Sequence, residues 1–312
     1  MSLTNFPNGI FASVVVTPQT EMSSGKVFFV GNSTTLPADG FPGSNGSDGL
    51  SPQTPFSTLA YAISRCVAGR GDIIYLLPGH VETITEAGGI TINKSGISVV
   101  GLGQGELRPK INFTTVVGAD LNIDAANVRI QNVIFTGGID ALTGPLDVNA
   151  ADFSLINCEY RDVTGQATDF LVSDANANRM LINGFAYRGD SAAGTNSAIV
   201  LNGADDVVLK NILMDGNFAV SGIDVRTAPV TDLQVSDVKF RTRNAADLFL
   251  KDTITGSTGM IGPNIYIRLQ DNAANITEAI TGATFVVFDD VYVVNNAGEK
   301  GMLINWTAST DA

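Results

Sequence analysis

The chain is expected to fold as an all-β, right-handed, single-stranded parallel β-helix, a solenoid with coils of ~26 residues, an N-terminal capping helix and an extended N-terminal arm. Two observations carry this expectation. Asn132, Asn157, Asn183, Asn211, Asp237, Asn264 and Asp290 recur at intervals of 25 to 28 residues, and a fixed period of that size marks a repeat architecture. Each sits in one frame, apolar-x-apolar-x-Asn/Asp-x-x-apolar, as in Val128/Ile130/Asn132/Phe135, Phe153/Leu155/Asn157/Tyr160 and Val207/Leu209/Asn211/Met214. That alternation has the period of a strand and not of a helix.

Within a repeat, short apolar runs are parted by bends. Leu121/Ile123, Val128/Ile130 and Val133–Phe135 are separated by 124–127 and by Gln131-Asn132. Three strands and three bends make one triangular coil. Strands this short hold only by pairing with the same strand one coil above and below. The Asn/Asp stride falls at a sharp bend, where a short polar side chain bonds local backbone and tolerates left-handed dihedrals. Stacked, these residues are expected to form an internal hydrogen-bonded ladder, a structural role with no catalysis and no metal. At about 4.8 Å per coil the rod extends on the order of 40 Å, and its right hand follows from the preference of parallel crossovers.

Taken in order, residues 1–24 form the extended arm, 25–71 a loop and the capping helix, 72–294 the β-helix and 295–312 a C-terminal cap or strand. The arm carries Leu3, Phe6, Ile10 and Phe11 as apolar anchors suited to docking. Residues 31–55 are rich in Gly, Pro, Ser and Asp, and read as turns, since their acidic spacing does not match a calcium loop. A helix is expected over Phe56–Ala68: Thr54-Pro55 starts it, Phe56, Leu59, Ala60, Ile63 and Val67 form its apolar face, and Gly69 stops it. Placed ahead of the first coil, it would plug the open apolar end of the solenoid. Asp72–Leu77 then opens the stack, with Pro78-Gly79 as its first corner. At the far end, Val286–Val294 and Met302–Trp306 flank the loop 295–301 as a final coil and a returning strand, self-capped or used for subunit contact.

Composition narrows the partners. The 312 residues carry 18 Lys and Arg against 31 Asp and Glu, a net charge of −13. This balance disfavours nucleic acid, whose phosphates need basic surface; it favours solubility at high concentration and is compatible with carbohydrate or with basic protein patches. Cys66 and Cys158 are far apart and read as small core hydrophobes. The first residues lack a basic region, and Ile10–Val16 is too short to span a bilayer, so neither signal peptide nor membrane contact is expected.

Two segments carry a resemblance. Gly49–Ala62 (GLSPQTPFSTLAYA) followed by Gly71–Gly79 (GDIIYLLPG) resembles the opening module of pectate-lyase-like β-helix proteins, and Gly96–Gly103 looks like their second-coil turn. The opening Leu3–Gly9 (LTNFPNG) is similar to the start of β-helical structural proteins of tailed bacteriophages. What the resemblance implies is a non-enzymatic virion protein, a capsid decoration, cement or head fibre on the particle surface, made in the host cytoplasm. Its partners would be itself, as a homotrimer, and the major capsid protein or another virion protein, engaged through the arm with avidity. The alternative is a tailspike-like glycan-binding protein or depolymerase acting on host surface polysaccharide.

Enzymatic members of such a fold use clustered carboxylates, or an Arg or Lys base with acidic ligands. Here the candidates are Asp205, Asp206 and Asp289. Neighbours along a strand face opposite ways, so neither Asp205-Asp206 nor Asp289-Asp290 is a ready dyad, and Asp205-Asp206 falls at a corner. His80, the single histidine, lies beside a turn and reads as structural. No cofactor or metal is expected. A fold does not by itself supply a function.

Overall fold

The computed structural model of the chain describes residues 25–32, 41–162, 167–189, 195–243, 248–270, 279–281, 285–287 and 290–303. The anchors Leu3, Phe6, Ile10 and Phe11, together with Asp289 and Trp306, lie outside the described residues. The chain is a parallel β-solenoid of about eight turns.

Each turn contributes one short strand to each of three faces. The first face starts at Val27–Val30, passes through Ile73–Leu76, Ser98–Gly101 and Arg129–Gln131, and ends at Phe285–Val287. The second runs from Val81–Thr83 and Lys110–Phe113 to Val291–Val294. There Lys300–Met302 returns antiparallel, with Tyr292 opposite Met302. The third runs from Ile90–Ile92 through Leu121–Ile123 and Leu142–Val148 to Ile280–Thr281. The stack therefore begins with Val27–Val30, inside the segment read from sequence as loop, because this strand pairs along its whole length with Ile73–Leu76.

In-register stacking builds the core column by column. On the first face Ile130, Leu155, Ile182, Leu209 and Val235 lie in successive coils, all buried. On the second, Phe135, Tyr160, Tyr187, Met214 and Phe240 do the same. Phe170, inside the third face, ties the aromatic column together, with ring centroids 5.6 Å from Phe135, 4.3 Å from Tyr160 and 5.3 Å from Phe185. Fully burying such a side chain is worth about 1.5–3 kcal/mol, so stacking supplies what isolated three-residue strands lack. The two buried phenols keep partners: the Tyr160 hydroxyl donates to Asp162 and the Tyr187 hydroxyl reaches Asp162 and Thr195.

The corners hold two left-handed columns and not one. Asn132, Asn157, Asn211, Asp237 and Asn264 have φ between 51° and 59°. Asn127, Asp152, Asp206 and Asp232, five residues before four of these, and Arg179, five before Gly184, have φ between 52° and 60°. Asn183 departs from the expected stride. It lies in the strand Leu181–Asn183, and Gly184 (φ 73°) takes the corner. An Asn-Gly pair at that bend gives the strained dihedral to the residue without a Cβ. The ladder is also not internal: Asn157, Asn211, Asp237 and Asn264 are exposed. Its side-chain bonds run along the outside, from Asn132 Nδ2 to the Gly101 carbonyl (2.8 Å), from Asn211 Nδ2 to Asn183 Oδ1 (2.8 Å) and from Asn264 Nδ2 to Asp237 Oδ1 (3.0 Å). The Asn264 amide donates to Asp290 Oδ2. A residue at αL turns its side chain outward here because the inward positions on either side are apolar.

A helix spans Leu59–Arg65, shorter than the sequence suggests. Phe56 bridges to Val30 instead of joining it, and Thr58 takes the N-cap, its hydroxyl accepting from the Tyr61 amide. The Leu59 amide donates to Glu82 Oε2 (2.7 Å), and the same oxygen lies 3.2 Å from His80 Nε2. His80 is thus buried between helix and first coil. Leu59, Ala62 and Ile63 face the core. Cys66 and Cys158 are buried and unpaired, and burial pushes both thiols up to about 12. Among the described residues no helix is long and apolar enough to cross a membrane.

Candidate functional site

The outward side of the second face is the chemically distinctive surface. Strand register sets two outer columns there. One holds Lys110, Ile134, Glu159, Ala186, Leu213, Lys239, Tyr266, Tyr292 and Met302. The other, two residues along each strand, includes Arg161, Arg188, Asp215, Arg241, Arg268, Val294 and Lys300. Arg108 and Arg243 reach onto it from its edges. This one face carries nine of the chain's 18 Lys and Arg, in a molecule whose net charge is −13.

Over the earlier coils these cations are neutralised. Glu159 accepts from Arg108 (3.1 Å), Arg161 (2.8 Å) and Arg188 (2.7 Å). Burial would raise the Glu159 carboxyl, but Arg161 and Arg188 outweigh it and hold the group below its ordinary value. Arg108 also donates to the Val133 and Asn157 carbonyls, covering Ile134, which is buried although it points outward. Glu106 binds Lys110 and Arg161. Further along, Asp215 accepts from Arg241 (2.6 Å) and Arg243 (2.9 Å), and the pair of arginines outweighs burial to lower its pKa.

The last coils differ. Lys239, Arg268 and Lys300 have no ion-pair partner among the described residues. They line a groove of about 510 Å³ with Tyr266, Tyr292, Val294 and Met302. The Tyr266 and Tyr292 rings are parallel within 11°, with centroids 5.5 Å apart, and are 51% and 42% exposed. Parallel rings at that separation are offset, which leaves ring surface open to solvent. Among the described residues the groove is lined by cationic, phenolic and apolar groups and by no carboxylate.

The carboxylates singled out from sequence are elsewhere. Asp205 and Asp206 are exposed at a corner. Asp206 is in the left-handed region, and Asp205 accepts from the Thr231 hydroxyl of the next coil. The structure brings neither to the groove. Two acidic groupings on the third face escape a sequence reading. Asp169 and Asp224, both buried, are held by Arg226, which donates to Asp169 at 2.7 Å through two nitrogens and to Asp224 at 2.5 Å. Burial raises Asp169 despite that partner. Asp147 is raised by burial and then by the charges of Asp120, Asp124 and Asp174, with Asn149 as its hydrogen-bond donor. Among the described residues no group of three His, Cys, Asp or Glu is placed to hold a metal ion.

The sequence matches no family model and no curated protein. Among solved structures the chain is similar to a rhamnogalacturonan lyase, at 13% identity and a TM-score of 0.47, over 90% of this chain and 86% of that one. It is also similar to a GH136 lacto-N-biosidase from Eubacterium ramulus, at 10% identity and a TM-score of 0.41, over 89% of this chain and 68% of that one.

Proposed function

We propose that this chain is a non-enzymatic structural protein of a tailed-phage virion, a right-handed β-helix displayed on the particle surface as a decoration, cement or head-fibre protein. The observation that supports it best is where the carboxylates go. Glu106, Glu159 and Asp215 on the second face are bound by arginine, the buried pair of the third face is clamped by Arg226, and Asp205 and Asp206 serve a corner. Carboxylates spent in this way on holding coils together suit a rigid spacer. The helix Leu59–Arg65 closes its first end, and the arm 1–24 attaches it to the capsid or to neighbouring copies of a homotrimer. Deleting residues 2–20 tests this: particles should lose the protein, and undiminished incorporation would sink the anchoring role.

A second reading, a glycan-binding protein acting at a host surface, is favoured by the groove around Tyr266 and Tyr292. Its exposed aromatic rings and hydrogen-bond donors suit sugar hydroxyls, and a lining without carboxylates among the described residues favours binding over hydrolysis. Incubation with host polysaccharide separates the two readings, since retention without release of oligosaccharides is expected only of the second.

A further inference from the structure

We propose that the groove over the last coils of the second face binds an acidic glycan, with Lys239, Arg268 and Lys300 taking its carboxylates and Tyr266 and Tyr292 its sugar rings. This rests on the glycan-binding reading and adds the charge class of the ligand. The first support is electrostatic. Every other cation we trace on this face meets Glu106, Glu159 or Asp215, whereas these three have no ion-pair partner among the described residues. Unpaired positive charge gathered on an acidic molecule selects an anion, because the rest of the surface repels it. Coils repeat at about 4.8 Å, so Lys239 and Met302 are separated by three strand spacings with both tyrosines between them, in register. A ligand lying along the axis meets Lys239, two rings and Met302 in one column, with Arg268 and Lys300 in the column beside it.

The second support discriminates against an acidic peptide. Ile265–Arg268 is paired on both sides, with Val238–Arg241 and Val291–Val294, and Val291–Val294 is itself paired on both sides. Those two strands therefore offer no free backbone edge to an extended chain, and the edge that remains among the described residues belongs to Lys300–Met302, a strand of three residues that is too short to seat one. What it offers is side-chain donors and aromatic surface, in a volume of about 510 Å³ that is typical of small-ligand sites.

The test uses the full chain and a set of uronate- and sialate-bearing tetrasaccharides, each paired with its carboxyl-reduced counterpart, followed by calorimetry at low and high salt. The triple variant Lys239→Gln/Arg268→Gln/Lys300→Gln and the variant Tyr266→Ala are compared with Arg188→Gln, whose cation lies on the same face outside the groove. All substituted side chains are on the surface, and an unchanged melting temperature confirms the fold. Expected are binding of an acidic sugar only, weakening with salt, and a loss of tenfold or more in the triple variant but not in Arg188→Gln. Equal binding of acidic and reduced sugars, untouched by the triple variant, would overturn the charge inference and leave glycan binding standing. Binding of no sugar, with or without a salt-sensitive self-association abolished by the triple variant, would overturn both the inference and the reading beneath it. Self-association of that kind would assign the groove to a second copy of the chain.

Discussion

Asn127 and Asn132 stand five residues apart with φ of 59° and 58°, and between them lies the strand Arg129–Gln131. The same bracket recurs at Asp152 and Asn157, at Arg179 and Gly184, at Asp206 and Asn211, and at Asp232 and Asp237. In these five coils two left-handed corners bracket the first-face segment at the same spacing, which suits in-register stacking of one coil on the next.

The corner residues should differ sharply in what they tolerate. Asn132→Ala forces a Cβ-bearing residue without a local hydrogen bond into αL and removes the bonds to the Gly101 and Gly103 carbonyls, costing about 2 kcal/mol. Asn132→Gly loses only the bonds, about 1 kcal/mol. Arg179 is the poorly suited member of its column, and its ion pair with Asp152 is exposed and contributes little. Arg179→Gly should therefore raise the melting temperature. Urea and thermal unfolding followed by circular dichroism measure all three, and a stabilised Asn132→Ala would be incompatible with the bracket.

Phe170 touches rings from three successive coils, so its removal should be felt beyond its own turn. Phe170→Ala is expected to cost about 4 kcal/mol, whereas Phe170→Leu, which leaves a smaller void, should cost less than half of that. Denaturant midpoints report the loss. A Phe170→Ala protein as stable as wild type would mean that the aromatic column contributes little.

Glu159 links three arginines, and its stabilising role should depend on pH. Its folded-state pKa lies below the unfolded value, so its contribution is complete above the ordinary carboxylate range and is lost as pH falls through the depressed value. Glu159→Gln should lower stability at pH 7 by about 2 kcal/mol and converge on wild type at strongly acidic pH. Parallel melting curves for the two proteins across that range would argue against the hub.

Asp147 should behave in the opposite sense. Burial and its acidic neighbours raise its folded-state pKa. It is neutral in both states at low pH, and a cost appears as pH climbs from the unfolded value through the raised one. Asp147→Asn keeps an acceptor for Asn149 and removes the charge. The variant should match wild type near pH 3 and melt higher at pH 7. A destabilised variant at pH 7 would contradict the repulsion.

How much of this was legible in the residues follows from which way each side chain points. The frame around Asn132, Asn157, Asn211, Asp237 and Asn264 is readable because inward positions admit only apolar groups, and the corner between them needs αL-tolerant residues. At Asn183 the pattern misleads by one position, since either member of an Asn-Gly pair satisfies it, and a slip of one residue in a strand reverses its faces. The second corner column is harder to see because Arg179 breaks its chemistry. The basic face has a signal too: counting four residues on from the true corners reaches Arg161, Arg188, Arg241 and Arg268. That count needs the corner at Gly184, which the stride alone does not supply.

The coil period, the alternation within strands and the placement of most corners are properties of the sequence by itself, because burial acts on each residue according to its own position in the repeat. Which outward residues meet was decided only by the tertiary structure. Arg108 finds Glu159 across 51 residues and Arg161 finds Glu106 across 55, while Lys239, Arg268 and Lys300 find no acid among the described residues. Solvent-facing positions tolerate almost any side chain, so their partners are fixed by the stacking register and the returning strand Lys300–Met302, neither of which local pattern encodes.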